Sequence, residues 1–312
     1  MKTGKKNTNY PDITKMKWNR IGFGTWPLSG DNNGIRAYGK TNDEDSIKAL
    51  IKAYENGINV FDTSDFYGFG HVESLLGNTF YNVRDKICII TKGGMISNEG
   101  KQNFSISHLS KSMEASLDRL KTNYVDVYML HSPELTELND GKIINMLSEF
   151  KKSGVIREYG ISLRSPQDGF QAILTHGFKI IEVNYNLLDI RAEQSGLFDV
   201  CKSHNVKVVC RTPLAQGILS GKFQFNDDAS DKRQQWSLDT VNHQTILYKK
   251  ILENLKKNPY TIAQNCLRFC LANDIISVII PGMKTDNEVI ENIQSLSAKK
   301  LTVTELKKLK EA

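Results

Sequence analysis

The chain has 312 residues, a mass of 35.3 kDa and 39% hydrophobic residues, which excludes a disordered chain or a mini-protein and leaves two ordinary domains or one large α/β barrel. The formal charge of +6 sits at the ends: residues 1–20 carry six bases and one acid, residues 299–312 carry five and two, and 21–298 holds 30 bases against 32 acids. A nucleic-acid groove would spread its cations along one face, so no nucleic-acid partner is expected.

From the N-terminus, MKTGKKNTNYPDITK is basic but has no apolar stretch behind it, unlike a secretory signal. No window reaches about 18 uninterrupted apolar residues, so the expectation is a soluble, cytoplasmic protein with no membrane partner. Short β-branched or apolar runs then recur: IGFGTW (21–26), INVFD (58–62), KICIITK (86–92), VDVYML (125–130), EYGIS (158–162), IIEVN (180–184), VKVVCR (206–211) and ISVIIP (276–281). Each is too short for a helix and lacks the in-out alternation of a one-sided sheet, which predicts strands buried on both faces.

Helical periodicity fills the intervals. Residues 43–57 place Ile47, Leu50, Ile51 and Tyr54 on one face before Gly57 ends the helix. His71 begins a helix over 71–82. Residues 105–123 gather Leu109, Met113, Ser116, Leu117 and Leu120, and 142–154 end in lysines and Gly154 as a helix C-terminus should. Eight strands alternating with helices predict a (β/α)8 TIM barrel, with residues 1–312 as a single domain. A doubly wound sheet is the alternative, but its glycine-rich dinucleotide turn is missing: Gly22 and Gly24 lie inside a strand pattern. The polar stretch 221–244 follows a strand and would hang over the active-site face, as a lid or as a disordered loop, with Trp236 as a substrate contact or a loop staple.

Five cysteines, Cys88, Cys201, Cys210, Cys266 and Cys270, have no CxxC spacing and read as reduced core thiols. His71, His108, His176, His204 and His243 show neither HxH nor HExxH spacing, so no metal is expected. The chemistry concentrates instead at strand ends. Asp62, Lys92 and His131 finish three consecutive strands, and Tyr67 follows the first in the glycine-rich loop FDTSDFYGFG. In a barrel, polar residues at strand C-termini face the pocket. Solvated strand ends also carry polar residues, but three in succession with a loop Tyr point to a site.

The segments GFGTW, FDTSDFYGFGHVESLLG, ITKGG, HSP, GVIREYGIS, NYNLLD with RAE after it, RTPLAQGILSGK and IIPGMKTDNEVIEN stand in an order and spacing that resembles the aldo-keto reductase superfamily over residues 20–295. The resemblance implies a (β/α)8 barrel and an NAD(P)H-dependent oxidoreductase acting on a small-molecule carbonyl substrate. NADP, with NAD as the alternative, would lie extended across the C-terminal face without a Rossmann turn. The family's catalytic tetrad falls on Asp62, Tyr67, Lys92 and His131. Gly24, Thr25 and Trp26 fall near the nicotinamide and substrate, with a core aromatic as the lesser alternative for Trp26. Ser162 falls on the carboxamide, with Leu163 where an asparagine often follows, and Glu182 stands where the family has glutamine. Tyr185 matches the aromatic that stacks on the nicotinamide. Arg211, Leu214 and Gly217 fall around the pyrophosphate, and Gly282, Lys284, Glu288 and Asn292 at the adenosine end.

Those residue types suit carbonyl reduction. A hydride delivered to C=O leaves an alkoxide that needs a proton; a free Tyr, with a pKa of about 10, becomes a better acid beside an ammonium. Asp62 would keep Lys92 charged, and His131 would orient the substrate oxygen. A carboxylate at position 288 suits a ribose hydroxyl, whereas Lys284 would attract a 2′-phosphate. Loops 93–104 and 212–243, with Phe66 and Trp26, would set the substrate, and their polarity favours a hydroxylated, sugar-derived carbonyl. Two other readings remain: a Schiff-base lyase using Lys92 as nucleophile, and a regulatory barrel like the cytoplasmic potassium-channel β subunits. The sequence carries no indication of oligomeric state.

Overall fold

The predicted strands pair with their sequence neighbours, all in parallel, in a computed structural model that describes residues 17–32, 35–97, 99–222, 231–235 and 259–310. They are β1 (Phe23–Gly24), β2 (Val60–Asp62), β3 (Cys88–Gly93), β4 (Val125–His131), β5 (Ile156–Ser162), β6 (Ile180–Asn184), β7 (Lys207–Arg211) and β8 (Ile276–Ile279). Bridges Ile21↔Ile279 and Gly24↔Gly282 join the first strand region to the last and close the sheet into a barrel. The closing contact explains the GFG pattern: a Cβ on Gly24 would lie 2.6 Å from the Ile280 carbonyl oxygen, and one on Gly22 would lie 2.9 Å from that of Val60. Only Phe23–Gly24 of the predicted 21–26 run is regular strand, because Pro27 starts a 3-10 turn at Trp26–Ser29.

Strand parity sorts the core. Val60, Ile90, Val127, Met129, Ile180, Val209 and Val278 form one cluster, which Trp18 joins. Intervening residues such as Phe61, Ile89, Tyr128, Ile181 and Cys210 belong to the larger cluster that includes the helical core residues. Continuing the two-residue period upward sets Asp62, Lys92, His131, Glu182, Asn184 and Arg211 on the parity of the first cluster, at or near the C-terminal strand ends. All five cysteines are free and buried.

The helices around the barrel are α1 (Asp43–Glu55), α2 (His71–Phe80), α3 (Ile106–Arg119), α4 (Lys142–Lys152), α5 (Pro166–Leu174), α6 (Arg191–Gln194), α7 (Leu197–Ser203), α8 (Ile262–Leu271), α9 (Asp286–Gln294) and α10 (Val303–Lys310). Their starts follow from local chemistry. Asn42 and Ser105 accept from backbone amides at the heads of α1 and α3, and Ser165, Thr261 and Thr285 complete capping boxes on α5, α8 and α9. α1 is rotated from its expected face: Ile51 is 41% exposed, while Ser46, Ala49, Leu50 and Ala53 are buried. Small side chains let this helix approach its neighbours closely, and that outweighs the apolar count on the other side. Within the 221–244 stretch, Lys232–Gln235 form a 3-10 turn; Trp236 and His243 lie outside the described residues.

Near the N-terminal end of β4, Asp126 is fully buried and gathers three donors. Arg84 Nη2 donates to its Oδ2 at 2.7 Å, the Ile89 amide at 2.9 Å, and Arg157 Nη1 donates to Oδ1 at 2.6 Å. Removing one partner of such a cluster leaves buried charge uncompensated. Asp126→Ala is therefore expected to lower unfolding stability by about 3–5 kcal/mol in urea titrations, while the folded fraction keeps its turnover.

Candidate active site

The floor of the site is built on Lys92, which is fully buried on β3. Its Nζ donates to Asp62 Oδ1 and Oδ2 at 2.7 and 2.6 Å and to the Thr63 carbonyl at 3.2 Å, and lies 3.2 Å from Glu182 Oε2. The ammonium thus sits between two carboxylates that are each 2% exposed. Burial alone would depress the Lys92 pKa, but Asp62 and Glu182 outweigh it and hold the side chain charged. Thr25 Oγ1 donates to the Asp62 carbonyl at 2.8 Å, fixing the strand end that carries this ion pair.

Tyr67 lies above the lysine, with Lys92 Nζ 5.4 Å from its ring centroid and the Trp26 and His131 rings edge-on at 5.0 and 6.1 Å. Burial pushes its phenol above the ordinary value; Lys92 acts in the opposite direction, as its charge requires, while Asp62 and Glu182 reinforce the rise. The expected acidification by Lys92 is present but outweighed, so the phenol keeps its proton at neutral pH. Burial, with Lys92 and Arg211 nearby, drives His131 well below its ordinary range and keeps it neutral. Its Nδ1 lies 3.1 Å from Ser64 Oγ, which donates to Asp65 Oδ1 at 3.1 Å. Burial lifts Asp65 itself to about 7.

The sequence reading missed Ser64 and Asp65 as supports for His131, although both stand in the DTSDFY motif. It also missed Asn184, which shares the parity of Glu182. Arg211 reaches over this floor: Nε donates to Asn184 Oδ1, Nη1 to Ser162 Oγ and Nη2 to the Leu163 carbonyl, each at 2.7 Å. Ser162 Oγ lies 3.2 Å from Glu182 Oε1, linking both expected carboxamide contacts to the lysine cluster.

From the floor a groove of about 600 Å³ runs outward. Gly24, Trp26, Arg211, Leu214 and Gly217 line it near the site, and Gly282, Lys284, Glu288 and Asn292 line it further along. Thr25 and Ser162 stand behind the wall, fully buried. Tyr185 requires a correction. It is 1% exposed, stacks on Phe269 at 5.3 Å and donates to Glu193 Oε2 at 2.7 Å. Residues 182 and 184 take the inward parity at this strand, so 185 points outward among the helices and cannot stack on a ring in the groove.

The groove also holds residues that no strand pattern announced. Lys222, Lys232 and Arg233 line the groove together with Lys284, Lys222 paired with Glu291 at 2.6 Å and Arg233 paired with Asp231. Tyr38 bridges Asp231, the Lys232 amide donates to the Ala37 carbonyl at 3.1 Å, and Lys284 Nζ donates to the Tyr38 carbonyl at 2.8 Å. Lys232 Nζ sits 4.7 Å over the Trp26 ring. Glu288 spends one oxygen on its own helix: Oε2 accepts from the Lys284 and Thr285 amides at 2.6 and 3.3 Å.

These features fit an elongated dinucleotide. Cations suited to phosphates line the groove, and the buried Glu182 Oε2 makes no aligned hydrogen bond within the protein. Among the described residues, no group of His, Cys, Asp or Glu forms a metal-binding cluster, and no helix is long and apolar enough to cross a membrane.

Known proteins agree in family. The NADP(+) aldo-keto reductase yakc of Schizosaccharomyces pombe is 28% identical over 308 residues, covering 94% of this chain and 90% of that one. The NADH-specific methylglyoxal reductase of Escherichia coli is 27% identical over 312 residues, covering 91% of each. The holo form of aldo-keto reductase AKR11C1 from Bacillus halodurans superposes with a TM-score of 0.77 at 26% identity, covering 94% of this chain and 91% of that chain. The sequence model of the Aldo/keto reductase family matches residues 20–312, and this chain belongs to that family.

Proposed function

We propose that the protein reduces an aldehyde or ketone to an alcohol with NADPH, NADH serving as the alternative cofactor. The observation that carries this reading is a neutral, partly buried Tyr67 beside the Lys92 ammonium and the neutral His131, at the floor of a groove lined by cations and carboxylates. The two named relatives use one cofactor each, which supports both cofactor forms as ligands of the fold.

When bound, the cofactor supplies a hydride to the carbonyl carbon. The C=O π pair moves to oxygen, and Tyr67 gives that oxygen its proton, forming the alcohol and leaving a phenolate beside Lys92. The ammonium stabilises that phenolate until solvent returns a proton. His131 positions the oxygen, with its Nδ1 against Ser64. Trp26, Phe66 and Met95 flank the mouth nearest Tyr67 and would select the substrate. The polar segments above them favour a small hydroxylated or sugar-derived carbonyl. Lys222, Lys232, Arg233 and Lys284 would hold the cofactor phosphates and Glu182 the carboxamide, with Ser162 bonded to Glu182 from behind the wall. A Schiff-base mechanism needs Lys92 as a neutral amine, whereas two buried carboxylates hold it charged.

Tyr67→Phe is expected to reduce kcat by about 10²–10⁴-fold, with NADPH binding retained by fluorescence quenching; parental turnover would assign the proton to another group. Because His131 is held below 6.5 and Tyr67 above 10.0, neither titrates between these values, and the inflection expected in kcat for reduction lies near 7, where Asp65 behind Ser64 and His131 titrates. Asp65→Asn should remove it, and an inflection that survives Asp65→Asn would point to a different acid. Glu288→Gln removes a negative charge from the groove wall and should strengthen NADPH relative to NADH several-fold in direct titrations. An unchanged ratio would show that the helix cap already neutralises that carboxylate.

A further inference from the structure

The second carboxylate on Lys92 has a consequence for which form of the cofactor the site prefers. Four ionisable side chains meet at the floor: Lys92 and Arg211 face the carboxyl groups of Asp62 and Glu182, and burial together with the neighbouring Glu182 pushes Asp62 well above its ordinary value, with Lys92 opposing the rise. Tyr67 and His131 complete the floor as neutral groups. A glutamine at position 182, the residue expected there from the family resemblance, would leave two cations facing one carboxyl group. Glu182 adds a second carboxyl group to the floor. It is almost fully buried, so water screens it little, and its Oε2 lies 3.2 Å from Lys92 without an aligned hydrogen bond.

Resting on the reduction proposed above, we infer that Glu182 makes the groove floor favour the oxidised nicotinamide over the reduced one. A reduced nicotinamide ring is neutral and an oxidised ring carries a positive charge, so a nearby fixed charge acts on one form and spares the other. The chemistry requires the ring to be close. The hydride-donating carbon must come within about 3–3.5 Å of a carbonyl carbon, and that carbonyl's oxygen must reach Tyr67 and His131. The Tyr67 ring lies 5.4 Å from Lys92 Nζ, and Glu182 lines the same groove as Tyr67 and His131. The carboxylate therefore stabilises the product state of the cofactor during reduction, and it makes the reverse reaction, alcohol oxidation, start from a tightly held oxidised form.

The test is to titrate the parent, Glu182→Gln and Glu182→Asp with NADP+ and NADPH separately, using protein fluorescence, with circular dichroism to verify folding. In Glu182→Gln, the ratio of Kd for NADP+ to Kd for NADPH should rise by at least about tenfold, the scale of one charge acting through an effective dielectric of about 20. For a two-electron couple, that corresponds to a rise of about 30 mV in the potential of the bound cofactor. Glu182→Asp keeps the charge and should keep the parental ratio, even if both forms bind less tightly. Arg211→Gln removes a cation and should move the ratio the opposite way, which preserves the test should Glu182→Gln not fold. An unchanged ratio in both charge-altering variants overturns the inference, because the second carboxylate would then carry a proton or lie too far from the ring. A parent that binds neither nucleotide overturns the carbonyl-reduction reading itself, and this inference with it.

Discussion

An ammonium sealed inside a protein is the constraint from which the rest of this site follows. Desolvating such an ion costs several kcal/mol, and only closely placed anions offset that cost. Lys92 therefore requires Asp62 at bonding distance and Glu182 beside it, and the strands bearing them must be held in register. Thr25 holds the Asp62 carbonyl from β1, and the Thr63 amide donates to Ile90 on β3 at 2.8 Å. The surrounding chemistry inherits that rigidity. The same positive charge that must be neutralised from below is what makes a phenolate tolerable above, and it also keeps His131 from taking up a proton.

Much of this was legible from the order of residues, through one rule applied repeatedly. Apolar runs of strand length, buried on both faces, indicated parallel strands, and the ionisable residues that ended them indicated the pocket. The rule worked for Asp62, Lys92 and His131 because each is separated by an even number of residues from apolar side chains of the inner cluster. It also holds for Glu182, Asn184 and Arg211. Tyr185 is where the resemblance and the geometry diverge: its outward parity sends the ring into Phe198 and Phe269. For α1, apolar periodicity indicated one face and small residues won another. Lys232 and Arg233 had no signal of this kind, since a loop residue's place depends on what the loop folds back against, here Tyr38 nearly two hundred positions earlier.

The barrel separates stability from chemistry along its axis. One end carries the Asp126 cluster, where two guanidiniums and a backbone amide converge on a single carboxylate away from the groove. The other end carries charges whose partners are incomplete without a ligand, Glu182 Oε2 among them. Both ends bury ions. They differ in the carboxylate: both oxygens of Asp126 accept hydrogen bonds, whereas Glu182 Oε2 accepts none.

The narrow closure at Gly22 and Gly24 reaches beyond geometry into the order of assembly. The strand that contains them leaves the ribosome before all the other strands of the barrel, yet one of its two neighbours, near Ile279 and Pro281, follows only after them. Until residue 282 emerges, the edge of β1 on that side has nothing to pair with and the groove between Gly24 and Gly282 has only one wall. Such long sequence separation slows folding and leaves strand edges open to wrong partners in the interval. The nascent barrel would then spend most of its synthesis as an open, curled sheet, and the capacity to bind a dinucleotide would arrive in one late step.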